Sequence, residues 1–249
     1  MPDHALPWPY PAMIAHRGGG RLAPENTLAG MRCGLAHGFT FVEYDVKLSR
    51  DNVLFLLHDD TVDRTTNGTG RAADMTWAEL QALDAGSWRG AEFAGERLPS
   101  FEDIARFTQE NGLASNVEIK PCPGREHETG TAVALAARAL WKNARTPPLL
   151  SSFSEEALAG AHVAAPELPR ALLVDQVPHD WHARMVTHDC RALNVNHKNV
   201  TQDLILAVHA MGYEIATYTV NDPARVHLLR QWGVDGVFTD ELALIGPKG

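Results

Sequence analysis

The chain has 249 residues, 45% of them apolar and 21% charged, enough to bury a full core in one α/β domain. A net charge of -9 and a pI near 5.7 argue against nucleic acid or an anionic membrane surface as a bulk partner, since both depend on basic patches. Cys33, Cys122 and Cys190 are an odd number without metal-ligand spacing and read as reduced thiols. The MPDHALPWPYP opening has no apolar h-region and no run approaches the roughly 18 apolar residues of a membrane span, so a cytoplasmic protein without a membrane anchor is expected.

In chain order, AMIA (12–15) is a short apolar strand followed by HRGGGRLAPENT (16–27). Two cationisable side chains and a backbone free to take positive φ can bring main-chain N–H groups close to an anion, and a phosphate is suggested. Within PENTL, Asn26 either aims at a site or caps the first helix, and the cap is favoured. FVEYDV (41–46) is a strand in which Glu43 and Asp45, two apart, share a face with Cα atoms about 6.6 Å apart. VKLSRDNVLFLLHDD reads as two strands joined by a two-residue turn at Asp51-Asn52. Pairing Arg50 with Val53 sets Asp45 opposite His58, and a turn one residue earlier sets Glu43 opposite His58.

Residues 59–98, with TTNGTG, Trp77, Trp88 and FAGERLP, interrupt the rhythm as an excursion on one rim. Ser100 and Asp103 form a capping box for a helix to about Glu110. NVEIK (116–120) places Glu118 and Lys120 on one strand face, and LLSSF, ALLV, ALNV, EIATYTV and GVFT supply further strands. Thr201 opens a helix that stops at Gly212, and Asp222 with Pro223 opens one that stops at Gly233. The β-then-α repetition predicts a (β/α)8 TIM barrel, one domain over 1–249, with the hairpin accounting for the ninth strand.

Buried barrel strands are normally continuous apolar runs, so the acidic strand residues stand out. If Glu43, Asp45 and Glu118 share one barrel mouth, each pair repels by about 2.5 kcal/mol at an effective dielectric near 20, and a cation belongs among them. A set of oxygen donors without cysteine selects one hard divalent cation, Mg²⁺, Ca²⁺ or Mn²⁺. His16 and His58 each directly follow an apolar strand and are flanked by charge; the remaining histidines, His4 among them, read as structural. Two imidazoles near one scissile bond can divide the work of general base and general acid.

HRGGGRLAPENTLAG, FVEYDVKLSRDNVLFLLHDDTVDRTTNGTG, the DAGSW...FAGERLPSFEDI segment, NVEIKP, TYTVND and VDGVFTD occur in this order across nearly the whole chain. Together they resemble the glycerophosphodiester phosphodiesterase family. The resemblance implies a phospholipase C-like phosphodiesterase TIM barrel with a characteristic insertion at about 60–98. It also implies Glu43, Asp45 and Glu118 as metal ligands, His16 and His58 as the acid/base pair, and Arg17 and Lys120 as phosphate contacts, on a small-molecule glycerophosphodiester. Where many members have tryptophan before T-V-N, this chain has Tyr218, which keeps an aromatic wall but changes its fit. Phe153 and Tyr218 lie at or near strand ends, where a barrel places its site. Rival readings are a lipid phosphodiesterase, such as one of lysophospholipase D type, a sugar-phosphate isomerase or aldolase with Lys120 as a Schiff-base lysine, and a binding module without turnover.

Overall fold

The computed structural model describes residues 8–249; the MPDHALP opening, His4 included, lies outside the described residues. The elements run β1 (Met13–Ala15), α1 (Leu28–Ala36), β2 (Phe41–Leu48), β3 (Leu54–Leu56), α2 (Trp77–Leu80), α3 (Phe101–Glu110), β4 (Ala114–Ile119), α4 (Glu126–Leu140), β5 (Leu149–Ser152) and α5 (Glu155–Ala164). They continue as β6 (Arg170–Val174), α6 (Trp181–Thr187), β7 (Ala192–Asn196), α7 (Gln202–Ala210), β8 (Glu214–Tyr218), α8 (Pro223–Trp232), β9 (Gly236–Thr239) and α9 (Leu242–Ile245). Eight parallel strands follow one another around a closed ring, β1-β2-β4-β5-β6-β7-β8-β9 and back to β1. β3 pairs antiparallel with the far end of β2 and is not a stave. This is a (β/α)8 TIM barrel.

Local sequence accounts for most element ends. Ser100 and Asp103 close the expected capping box at α3, Thr201 caps α7, and Asp222 with Pro223 opens α8, which ends on Gly233 at φ 99°. The period of two explains how β2 is buried along its whole length while carrying two acids. Val42, Tyr44 and Val46 face the helices, whereas Phe41 belongs to an inner layer with Ile14, Leu149, Ala171, Ala192, Ala216 and Phe238 that plugs the barrel floor. Tyr10 stacks on Phe41 at 5.1 Å beneath that layer and donates to the Pro147 carbonyl. Glu43 and Asp45, above Phe41 on the same face, point to the opposite end, where a TIM barrel places its site.

The expected hairpin forms, but its loop holds three residues instead of two. Ser49 donates its amide to the Val53 carbonyl, and Asn52 takes φ 66°, the left-handed residue that closes a three-residue loop. The ladder therefore pairs Val46 with Leu56, one residue off both expected registers. Leu57 still donates to the Asp45 carbonyl, and His58 then leaves the sheet. It reaches the mouth through that departure and not by cross-strand pairing.

Between Leu57 and Ser100 the chain builds the rim excursion around its own cluster of Phe55, Leu57, Val62, Ala72, Leu80, Ala85 and Leu98. Cys33, Cys122 and Cys190 are free thiols. Among the described residues, no helix is long and apolar enough to cross a membrane.

Candidate active site

His16 and Arg17 follow β1, where the chain makes a tight loop with Arg17 at φ 51° and Gly18 and Gly20 also in the left-handed region. A Cβ at Gly20 would lie 2.2 Å from the Asp240 carbonyl oxygen, so the loop can approach the end of β9 only with glycine there. The loop does not form the expected amide cradle for a phosphate. Gly18 and Gly20 donate to the Ala15 and His16 carbonyls, and Arg17 gives its amide to Glu43 Oε2 at 2.9 Å. The anion met by the backbone is a side chain of the protein itself.

Glu43, Asp45 and Glu118 each offer an oxygen within 4.8 Å of the others, and all three are buried. At that spacing each ionised pair repels by at least about 3.5 kcal/mol at an effective dielectric near 20. The strain settles on Glu43, whose carboxyl is pushed up to about 8 by burial and then by the charge of Asp45. Burial alone would raise Asp45 too, but the positive charges of Arg17, Lys120 and His58 and a bond from Asn26 hold it well below the usual carboxylate range. Glu118 is raised, by burial first and by Asp45 second. Glu43 Oε1 is buried without a hydrogen-bond partner. A set of hard oxygen donors, one of them unsatisfied, fits a hard divalent cation.

Asn26 does not cap α1; Thr27 does. Asn26, at φ 58°, instead grips Asp45 twice, donating from Nδ2 to Oδ2 at 2.8 Å and accepting the Asp45 amide at Oδ1 at 3.0 Å. Lys120 lies 2.7 Å from Glu118 and 3.7 Å from Asp45, with Nζ 5.5 Å from the Phe153 ring centre. Burial pulls its pKa down, but those carboxylates outweigh it and hold Lys120 above its ordinary value.

Each histidine has a carboxylate on Nδ1. His16 pairs with Asp240 at 2.6 Å, and Asn221 donates to the other Asp240 oxygen at 2.9 Å. His58 pairs with Asp59 at 2.7 Å. Bonding at Nδ1 leaves Nε2 of both rings for other work. Burial disfavours the charged form of both rings, but the Asp240 bond and the charge of Glu43 lift His16 above its ordinary value. His58 ends below it, because burial joins the positive charges of Arg17 and Lys120 to outweigh the pull of Asp45 and Asp59.

A cavity of about 150 Å³ is lined by His16, Arg17, Glu43, His58, Glu118, Lys120, Phe153 and Tyr218, together with Asn116. Eight of the nine residues singled out from sequence meet there, and Asp45 lies against it through Arg17 and Lys120. Phe153 and Tyr218 stand edge to face at 5.7 Å, with the Tyr218 hydroxyl tied to the Val174 carbonyl. Sequence reasoning missed Asp59, Asp240 and Asn116, and of its two readings of Asn26 the structure bears out the less favoured one. Asp59 sits next to His58 in the chain and carried a local signal; Asp240, 224 positions from His16, carried none.

The model of the Glycerophosphoryl diester phosphodiesterase family matches residues 16–244. A glycerophosphodiester phosphodiesterase of Caldanaerobacter subterraneus subsp. tengcongensis is 32% identical, with 92% of this chain and 93% of the relative covered. One from Bacillus subtilis is 30% identical over 91% of this chain and 82% of the relative. Among solved structures, a phosphodiesterase of Oleispira antarctica in complex with the product sn-glycerol-3-phosphate is 36% identical, with a TM-score of 0.89 and 95% of each chain covered.

Proposed function

The chain belongs to the glycerophosphoryl diester phosphodiesterase family and is an enzyme of that type, and from that premise we propose that it hydrolyses small glycerophosphodiesters, such as glycerophosphocholine and glycerophosphoethanolamine, to glycerol 3-phosphate and an alcohol. The observation that carries the reading is the meeting of two carboxylate-anchored histidines, two cations and the acidic cluster on one small cavity. The product bound to the Oleispira relative fits the same chemistry. The whole barrel, with its excursion at about 60–98, works as one catalytic unit in this reading.

Glu43, Asp45 and Glu118 would hold one divalent cation, Mg²⁺, Ca²⁺ or Mn²⁺. When bound, the cation supplies positive charge to a non-bridging phosphoryl oxygen as negative charge grows there. Arg17 and Lys120 meet the remaining phosphoryl oxygens, with Glu25 and Glu118 holding their side chains in place. His16 and His58, held by Asp240 and Asp59, present Nε2 to the attacking and departing oxygens. Because the two rings are shifted in opposite directions, one can take a proton while the other gives one. Phe153 and Tyr218 form the aromatic wall against the substrate.

The Schiff-base rival requires a neutral amine, whereas Glu118 and Asp45 favour the Lys120 ammonium. The deciding experiment is coupled detection of glycerol 3-phosphate from both diesters, using EDTA-stripped protein with Mg²⁺, Mn²⁺ or Ca²⁺ added back. Release restored by metal is the expected result and ranks the ions. No release with any ion would overturn the small-diester reading and turn attention to lysophospholipids.

A further inference from the structure

Arg64 lies on the rim excursion, outside the cavity, yet its guanidinium is joined to both arms of the site. Nη1 and Nη2 donate to Glu25 Oε2 and Oε1, each at 2.8 Å, and Glu25 Oε1 also receives Arg17 Nη1 at 2.8 Å. On its other edge, Nε donates to Asp59 Oδ2 at 2.6 Å and Nη2 to Oδ1 at 3.1 Å, and Oδ1 is the oxygen paired with His58 Nδ1 at 2.7 Å. The result is one continuous line of ion pairs from Arg17 through Glu25, Arg64 and Asp59 to His58.

We propose that Arg64 is a positioning residue that fixes, from the rim, the orientation of the phosphate-facing Arg17 and of the acid/base His58 together. The role presupposes the diester hydrolysis proposed above. The Arg64 side chain is 46% exposed, and ion pairs at such a surface add little to stability. Fork-to-carboxylate bonding, by contrast, is geometrically strict, and here it is made on two sides at once. Without it, Glu25 and Asp59 each keep one catalytic partner but lose the group that fixes their own rotamer. The excursion itself has other fastenings: Glu96 accepts the Ala29 amide at 2.9 Å, Asp60 meets the buried Lys47 at 3.1 Å, and its own apolar cluster packs beneath. Loss of Arg64 should therefore disturb the site more than the fold. Lysine cannot replace it, because one ammonium lacks the planar fork that serves both carboxylates.

The test compares wild type with Arg64→Ala and Arg64→Lys, in the native background and in the Glu25→Ala/Asp59→Ala double variant, all loaded with metal. Arg64→Ala should lower kcat on glycerophosphocholine by about 10- to 100-fold, the scale of a small misplacement of catalytic groups. It should also weaken glycerol 3-phosphate binding, measured by calorimetry, by about 5-fold through the Arg17 arm. Arg64→Lys should recover only part of either loss. In the double variant, where both carboxylates are absent, Arg64→Ala should cost less than about 2-fold, because a residue acting through two partners has no effect once they are gone. Wild-type kcat and affinity in Arg64→Ala, or an undiminished loss in the double variant, would overturn the role. If wild type itself showed no turnover, the diesterase reading would fail separately, and the calorimetric comparison would still decide on Arg64: weaker binding in Arg64→Ala supports it, and equal or undetectable binding in both overturns it.

Discussion

The barrel mouth and the rim excursion treat their acidic side chains in opposite ways. At the mouth, Glu43, Asp45 and Glu118 are crowded and buried, Glu43 keeps an oxygen without a partner, and its carboxyl is pushed up to about 8 by burial and by Asp45. On the excursion, Asp84 accepts the amides of Gly86, Ser87 and Gly95 and the Ser87 hydroxyl, and those bonds hold it well below the usual carboxylate range. Asp59, where the excursion meets the site, is held at about 2, chiefly by its bonds from Arg64. These rim acids are satisfied by the donors around them. The mouth leaves a conflict that a bound cation would resolve.

The largest expected effect breaks the mouth directly. His16→Ala and His58→Ala should each lower kcat by about 10²- to 10⁴-fold, the usual size of a general acid/base contribution, while cation binding survives. Steady-state kinetics with a parallel metal titration checks both halves, and wild-type turnover in either variant would remove that residue from the mechanism.

The electrostatic contrast itself is sharpened by thermal melts across pH. A raised carboxyl stabilises the fold below its unfolded pKa, near 4.5, and that contribution is lost as pH rises through the folded value of about 8. The metal-free protein should therefore lose melting temperature between about pH 5 and 8, and Glu43→Gln should flatten this decline. Saturating cation at about 100 times its Kd contributes about 2.7 kcal/mol, or about 5 to 10 °C for a chain of this size. The gain should grow with pH over the same window, because Glu43 must lose its proton to bind. A gain independent of pH, or one that persists in Glu43→Gln, would place the cation elsewhere.

The smallest expected effect lies on the rim. Depressed carboxyls stabilise above their unfolded pKa and lose that contribution as pH falls, so the contribution of Asp84 is present above about pH 4 and is lost only in acid below it. Asp84→Ala removes the acceptor for three amides of the excursion and should speed limited trypsin cleavage at Arg89 or Arg97 while changing kcat far less than the histidine variants. Cleavage at the wild-type rate would show that the segment is held without Asp84.

The alternation of strands and helices, the caps at Ser100, Thr201 and Asp222, and the shared face of Glu43 and Asp45 were legible because each depends on neighbours within a few residues. The hairpin was legible as a hairpin but not in register, since one more loop residue, with Asn52 at φ 66°, shifts every pair by one. For Asn26 the cap was favoured over a role at the site because Asn commonly caps helices; its left-handed backbone, which turns the amide onto Asp45, leaves no mark in composition. Arg64 carries no local signal of its bonds to Glu25, 39 positions away.

The sequence by itself therefore determined the barrel's repeat, the family motifs and the inventory of acids, cations and histidines, all encoded by short-range periodicity and capping. Tertiary structure alone decided which carboxylate serves which ring, because closure of β1 onto β9 brings Asp240 within 2.6 Å of a histidine 224 positions away. It also decided which acid carries the strain, because burial and the positions of Arg17, Lys120 and Asn26 divide three similar carboxylates into one held low and two pushed up.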